Sequence, residues 1–223
     1  MIATVLLSLF QSLGEGEVLN LAEIWEAGGF MMWPLATALG VGLLIIFWKL
    51  VVLFMKASAN NKALSAVDAM VGGGELDGAL AVCNESDAPA AQVLEAGLSR
   101  HTEGPDRATQ AIENAGAIQV AGLEQGLVWL ATLSNVAPLL GFLGTVLGMI
   151  AAFQAIEVAG DVEATLVAGG IKEALVTTAS GLAIAIPINI FHNFFITKID
   201  GMVISMEESA QKLIDALHQK AAA

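Results

Sequence analysis

The sequence predicts an all-α integral membrane protein with three transmembrane helices. Hydrophobic residues make up 56% of the 223 residues and charged residues only 14%, which is too apolar for a typical soluble protein. Three apolar runs are long enough to span a hydrocarbon core about 30 Å thick, which takes about 20 helical residues. Between them, apolar residues recur at helical spacing and no strand pattern competes. These observations predict three spanning helices joined by further helices.

The first apolar run predicts a transmembrane helix over 31–55. Pro34 lies in its first turn, where a missing N–H removes no helical hydrogen bond. Lys49 near the other end has two interpretations: its stem extends so that the ammonium reaches the headgroups, or its charge lines a pore. Lys56 and Lys62 follow at once and mark the same side as positive, which favours the first interpretation.

The polar stretch 56–126 predicts a helical domain outside the bilayer. Three breaks divide it into helical segments: GGG at 72–74, NESDAP at 84–89 and EGP at 103–105. The segments cover roughly 57–71, 75–83, 89–101 and 105 onward. No further breaker follows Pro105 before Pro138, so one long helix is expected to run from this domain into the second span.

The second and third spans are predicted over 127–156 and 172–197. An acidic link, 157–171, joins them and includes the start of the third helix. In the tail, 198–223, apolar residues keep a helical spacing, so the third helix is expected to continue beyond the bilayer.

The distribution of basic residues predicts the orientation of the chain. Segments 1–30 and 157–171 contain no Lys or Arg, whereas 56–126 and the tail hold most of the nine. By the positive-inside rule the loop domain and the tail are cytoplasmic, and long helices two and three extend into the cytoplasm. The N-terminal segment and the link then lie outside the cytoplasm. Residues 1–13 resemble a short signal-peptide core, but no basic residue precedes them, so they are expected to be retained at the interface.

Composition and motifs disfavour several classes of function. A net charge of −13 with scattered basic residues argues against nucleic acid as a partner. The single cysteine, Cys83, excludes an intrachain disulfide and does not form a zinc or redox motif. No catalytic constellation, phosphate loop or metal-ligand spacing is present, so the sequence predicts neither an enzyme nor a bound cofactor.

The stretch 134–152 aligns small or polar residues on one helix face, here called the seam: Ser134, Pro138, Gly141, Thr145, Gly148 and Ala152. Residues of this size let helices approach closely within a membrane. A second small face in the third span carries Ala174, Thr178, Gly181 and Ala185. The residues predicted to pack helices together are Pro138, Gly141, Gly148, Gly181 and Pro187.

Polar residues at membrane depth are the candidates for function, because each must find a partner or line a cavity. Glu173 opens the third span, and Thr177 and Ser180 lie four and seven residues later on the same face. Two interpretations of Glu173 remain open: an interfacial carboxylate that pairs with a neighbour, or a group on an ion path. Lys172 points about 100° around the helix from Glu173, so an ion pair between them is not expected.

Two sequence runs carry a family resemblance. The first comprises APLLGFLGTV at 137–146, GMI at 148–150 and AFQAI at 152–156, and the second is GIKEALVTTASGLAIAIP at 170–187. These runs closely resemble the MotA/TolQ/ExbB proton-channel family. Three spans are similar to ExbB or TolQ rather than to a four-span MotA. Lys172 departs from the small residue expected there in ExbB or TolQ.

The resemblance implies a homopentamer in the bacterial inner membrane that encloses two single-span helices of an ExbD/TolR-like partner. Flow of a coupling ion, proton or sodium, through the partner's membrane aspartate would drive rotation of one part within the other. Pore-lining roles carry over to Thr145, Glu173 and Thr178, and the predicted ion pathway also includes Thr177 and Ser180. For Thr145 and Thr178, a hydroxyl that bonds its own helix is the simpler alternative.

The seam is then expected to face the partner helix and a neighbouring subunit, and to be packed loosely enough to turn. The powered process stays open between TonB-type import, Tol-type envelope constriction and surface motility. A structural membrane scaffold without ion conduction is the main alternative, because small-residue seams alone would suffice for it. A secondary transporter is less favoured, since three spans without a repeated half offer no alternating-access pair.

Overall fold

The computed structural model describes residues 21–73, 75–160 and 164–222, and all the regular secondary structure in these ranges is helical. Seven α-helices follow in order: α1 Leu21–Ala27, α2 Met32–Gly72, α3 Leu76–Asn84, α4 Pro89–Leu98, α5 Pro105–Glu124, α6 Leu127–Ala159 and α7 Ala164–Ala222. Short 3-10 turns lie at Gly29–Met31 and His101–Glu103. The retained apolar run predicted at 1–13 lies outside the described residues.

Three helical stretches are long and apolar enough to cross a membrane: Gly29–Gly72, Leu127–Ala159 and Val167–His218. In each, only 28% of the apolar window is buried within the chain. The rest of this apolar surface therefore needs lipid or other protein chains around it. The predicted all-α fold with three transmembrane helices is confirmed, and the chain is a multi-pass membrane protein.

Breaks between the helices of the loop domain lie where Gly and Pro predict them. α2 ends at Gly72, and the N–H of Gly73 closes the helix by donating to the carbonyl of Ala69. Pro89 and Pro105 each stand at the first position of a helix, where proline is favoured. Gly104 precedes Pro105 with a φ of +102°, which a residue with a side chain rarely adopts.

The expectation of one long helix from Pro105 into the second span is wrong. α5 ends at Glu124, Gln125 is extended with ψ 127°, and Gly126 takes a φ of +91° before α6 starts at Leu127. Glycine reaches this left-handed conformation without a Cβ clash, so Gly126 acts as a breaker. Gln125–Gly126 is therefore a sharp turn at the start of the second span.

Two helices are longer than the spans they contain. α2 continues without a break through the segment expected at 57–71, so that segment belongs to the helix of the first span. α7 runs from Ala164 through the third span and the tail, which confirms that the third helix continues beyond the apolar run.

The described residues divide into two compact units. The first contains the residues up to Val41 together with Leu133–Pro187, and its core includes Leu35, Ala137 and Ala174. The second contains Gly42–Thr132 and the residues from Ile188 onward. Its core is built of larger side chains, which include Leu53, Val67, Leu94, Leu98, Leu123, Phe195 and Leu213.

Candidate ion pathway and its packing

The seam of α6 packs against the small face of α7 within the same chain. A Cβ at Gly141 would lie 2.9 Å from the carbonyl oxygen of Thr177, and one at Gly148 would lie 2.9 Å from that of Gly170. From the other side, a Cβ at Gly181 would come within 2.6 Å of the carbonyl oxygen of Ala137. These atoms belong to backbone, which cannot rotate away, so only glycine fits at the three contact positions.

This contact corrects one expectation. The loose packing predicted along the seam is wrong at Gly141 and Gly148, because the backbone of α7 fills the space in front of them. Ala152 is also buried within the chain. The two proline positions named as packing residues, Pro138 and Pro187, are half-buried inside α6 and α7, and both helices continue through them.

Thr145 and Thr178 meet where the two small faces cross. Their hydroxyl oxygens lie 3.0 Å apart. The Thr178 hydroxyl is also 3.1 Å from the carbonyl oxygen of Gly141, and the Thr145 hydroxyl is 2.8 Å from that of Phe142. The back-bonding expected as the simpler alternative is therefore present for Thr145, whereas Thr178 bonds across to α6.

The hydroxyl pair can both donate and accept hydrogen bonds. Each hydroxyl carries one proton and two lone pairs, so the two protons of the pair cannot saturate both backbone carbonyls and the contact between the hydroxyls at once. Both side chains are half-buried rather than sealed in the core. The pair offers acceptor lone pairs at membrane depth without a permanent charge, which is suitable for a protonated water or a protonated carboxyl group.

Thr177 lies differently from Thr178. Its side chain is fully buried, its hydroxyl donates to the carbonyl of Ala174 at 2.9 Å, and its atoms fill the space in front of Gly144. In the single chain it therefore packs between α6 and α7. Ser180, on the same predicted face, is half-buried.

Glu173 lies beside the turn that precedes the first span. Gly29 has a φ of +58° there, and a Cβ on it would overlap the Glu173 carboxylate. Glu173, which is half-buried, lines a cavity of about 490 Å³ together with Glu23, Glu26 and Lys172. Among the described residues Lys172 forms no ion pair with Glu173. Glu173 thus lines an open cavity near one end of its span.

Lys49 has a role that sequence reasoning missed. It is only 3% exposed, and its ammonium donates to the carbonyl oxygens of Leu123 and, at 2.7 Å, of Gln125. Both earlier interpretations, an ammonium extended to the headgroups and a pore lysine, are therefore wrong. The last carbonyls of a helix lack intrahelical donors and attract cations. Two features of the sequence could have indicated this contact: a lysine within the first apolar run, and a GlnGly pair just before the second apolar run.

The described ranges contain no group of three His, Cys, Asp or Glu side chains that could hold a metal ion.

Comparison with known proteins places these features in a family. The MotA/TolQ/ExbB proton channel family matches residues 85–208, more than half of the chain. The chain belongs to this family. The match includes the seam, the hydroxyl pair and Glu173, and it leaves out α1, α2 and α3. The predicted resemblance is therefore confirmed.

Similar MotA/TolQ/ExbB proteins include a putative biopolymer transport protein ExbB homolog of Methanothermobacter thermautotrophicus, 29% identical over 83% of this chain and 66% of that protein. The biopolymer transport protein ExbB of Xanthomonas campestris is 38% identical over 43% of this chain and 38% of its own length. The Tol-Pal system protein TolQ of Haemophilus influenzae is 33% identical over 46% of this chain and 45% of its own length. The chain thus spans less than two thirds of each relative.

Proposed function

We propose that this protein is an ion-driven stator subunit of an ExbB/TolQ-like complex in the bacterial inner membrane. Five copies surround two single-span helices of an ExbD/TolR-like partner, and ion flow past the partner drives movement that energises envelope transport, envelope integrity or motility. The coupling ion is a proton, with sodium as the other candidate. The N-terminus is periplasmic, and the loop domain and C-terminus are cytoplasmic.

The observation that carries the proposal is the hydroxyl pair Thr145–Thr178, whose oxygens are 3.0 Å apart. Burying a polar group within an apolar span costs desolvation free energy, so such a group usually binds a partner or lines an ion path. Glu173, beside an open cavity at the end of the same helix, provides a carboxylate where an ion would enter or leave. Ser180 and Thr177 are assigned to the same path by their positions on α7.

The test is a set of variants assayed for ion-driven activity and for assembly. Thr178→Val removes the hydroxyl with little change of shape, and Glu173→Ala removes the carboxylate. Both are expected to abolish the driven process while membrane insertion and the pentamer persist. Thr132→Val is the matched control, because the hydroxyl of Thr132 is exposed and bonds only its own helix at Val128. Normal driven activity in Thr178→Val and Glu173→Ala would contradict the proposal.

A structural scaffold is the second candidate, favoured by the close backbone contact at Gly141 and Gly181. Co-purification separates the two functions, since a scaffold has no need to retain a single-span partner with a membrane aspartate. Loss of the oligomer itself in Thr178→Val and Glu173→Ala would favour the scaffold. Ion flux into vesicles, measured in sodium-free buffer and with a protonophore, distinguishes the proton from sodium.

A further inference from the structure

A groove of about 870 Å³ lies in the second compact unit, between α5 and α7 with Val93 of α4 beneath them. Its buried lining is apolar and includes Val93, Ile112 and Met206, while Val120 and Ile214 are half-buried at its sides. The groove follows α5 from Thr109 to Glu124, a distance of about 22 Å at a rise of about 1.5 Å per residue. An amphipathic helix of about four turns fits this length.

The α5 side of the groove is open and smooth. It is formed by Gly116, Ala117 and Ala121, and a Cβ on Gly116 would meet no atom within 4 Å. The glycines of the seam are different, since α7 backbone already fills the space before them. Small residues along α5 would therefore allow the backbone of another segment to approach closely, and the part of the chain that the structure describes leaves that space empty.

The charges around the groove have one sign. Its charged lining residues are Glu113, Glu124 and Glu207, which are all exposed, and no Lys, Arg or His among the described residues lines it. Lys212, which lies on α7 between two lining residues, instead forms an ion pair with Asp68 of α2. An apolar groove with an acidic rim is complementary to a basic amphipathic segment.

We propose that this groove binds the basic segment that flanks the membrane span of the single-span partner on the cytoplasmic side. This inference rests on the proposed function, which supplies the partner and the orientation. The positive-inside rule concentrates Lys and Arg beside the cytoplasmic end of a span, so that segment has the charge that the rim requires. A second copy of this chain, with a net charge of −13 and the same acidic groove, is electrostatically less suited.

Site-specific photo-crosslinking in the intact complex tests the proposal. A benzoylphenylalanine at Ala117, which is exposed in the groove, is expected to form a crosslink that mass spectrometry maps to the partner's segment flanking its span. The same probe at Ala81, exposed on α3 outside the groove, is expected to give no such product. A crosslink from Ala117 to another copy of this chain, or none while the partner co-purifies, overturns the proposal.

A charge reversal provides the matched comparison. Glu207→Lys places a cation on the rim, whereas Glu208→Lys makes the same change one residue away, outside the lining. The crosslink yield from Ala117 is expected to fall roughly fivefold in Glu207→Lys and to stay unchanged in Glu208→Lys. Equal yields in the two variants overturn the proposal, and native mass spectrometry verifies that both retain the oligomer.

Failure of this inference is distinguishable from failure of the proposed function. If the partner co-purifies and Thr178→Val abolishes the driven process, but the Ala117 crosslink does not reach the partner, only the groove assignment fails. If the crosslink maps to the partner while Thr178→Val remains fully active, the ion pathway fails and the docking surface stands. A complex from which no single-span protein co-purifies overturns both.

Discussion

Replacing Lys49 with methionine should destabilise the turn between α5 and α6. Methionine keeps the apolar stem but removes the ammonium that donates to the carbonyls of Leu123 and Gln125. Hydrogen bonds from a charged donor contribute about 1.5–3 kcal/mol each, but lost bonds cost less where water can replace the donor. Leu123 is 2% exposed, whereas Gln125 is exposed, so only the first carbonyl is left without ready hydration.

The expected loss for Lys49→Met is therefore about 2–3 kcal/mol. For a chain of this size, one kcal/mol corresponds to a change of roughly 2–4 °C in Tm, so Tm should fall by about 5–10 °C. Intrinsic tryptophan fluorescence of the detergent-solubilised protein is a suitable assay. Trp48 reports on the turn directly, because its ring packs against Gly126: a Cβ added to Gly126 would lie 3.2 Å from the ring.

Two control variants separate the buried contact from general charge effects. Lys62 is exposed on the same helix, so Lys62→Met should change the free energy of unfolding by no more than about 0.5 kcal/mol. Lys49→Arg keeps the charge and the donors, and it should lose less stability than Lys49→Met. Equal decreases in Tm for Lys49→Met and Lys62→Met would refute the assignment of Lys49 as the group that secures the turn.

Two further predictions follow from other contacts. Gly181→Ala should destabilise the α6–α7 pair by about 1–3 kcal/mol, because the added Cβ meets the backbone of Ala137. Gly201→Ala, in the open part of α7, should be neutral or stabilising by up to about 1 kcal/mol. Thermal unfolding of both variants is the measurement, and equal effects would contradict the contact at Gly181. Burial raises the pKa of the Cys83 thiol to about 11, so the folded protein should resist iodoacetamide at pH 8 and react only when unfolded. Because the folded thiol keeps its proton above the reference pKa of 9.0, its contribution to the free energy of unfolding should decline as pH rises from about 9 to 11. Rapid alkylation of the native protein at pH 8 would contradict this prediction.

The sequence by itself determined the class of the fold and most of its boundaries. Apolar runs of spanning length can only be stabilised as membrane helices, so three spans follow from composition. Gly and Pro punctuate the chain for local steric reasons that need no tertiary partner, which is why the breaks at 72–74 and before Pro105 were predictable. Gly126 breaks the helix for the same reason, but a single glycine inside an otherwise helical pattern is a weak signal without its neighbours.

The candidate site was predictable in its residue types and only partly in its geometry. Helical periodicity places Thr177 on the face of Glu173, yet the chain buries Thr177 against Gly144, while Thr178 is the residue that reaches Thr145. Periodicity defines which residues share a face but not which neighbouring helix covers that face. That decision depends on the rotation of α7 about its axis, which the backbone contacts at Gly141 and Gly181 fix.

Tertiary structure alone decided the role of Lys49 and the existence of the acidic groove. The lysine and its acceptor carbonyls are separated by more than 70 residues, and a free backbone carbonyl leaves no mark in a sequence. The groove likewise depends on how α4, α5 and α7 pack, because small residues on α5 predict a close approach without saying what approaches. Sequence thus determined which helices form and where they end, whereas the helix contacts decided which polar groups meet.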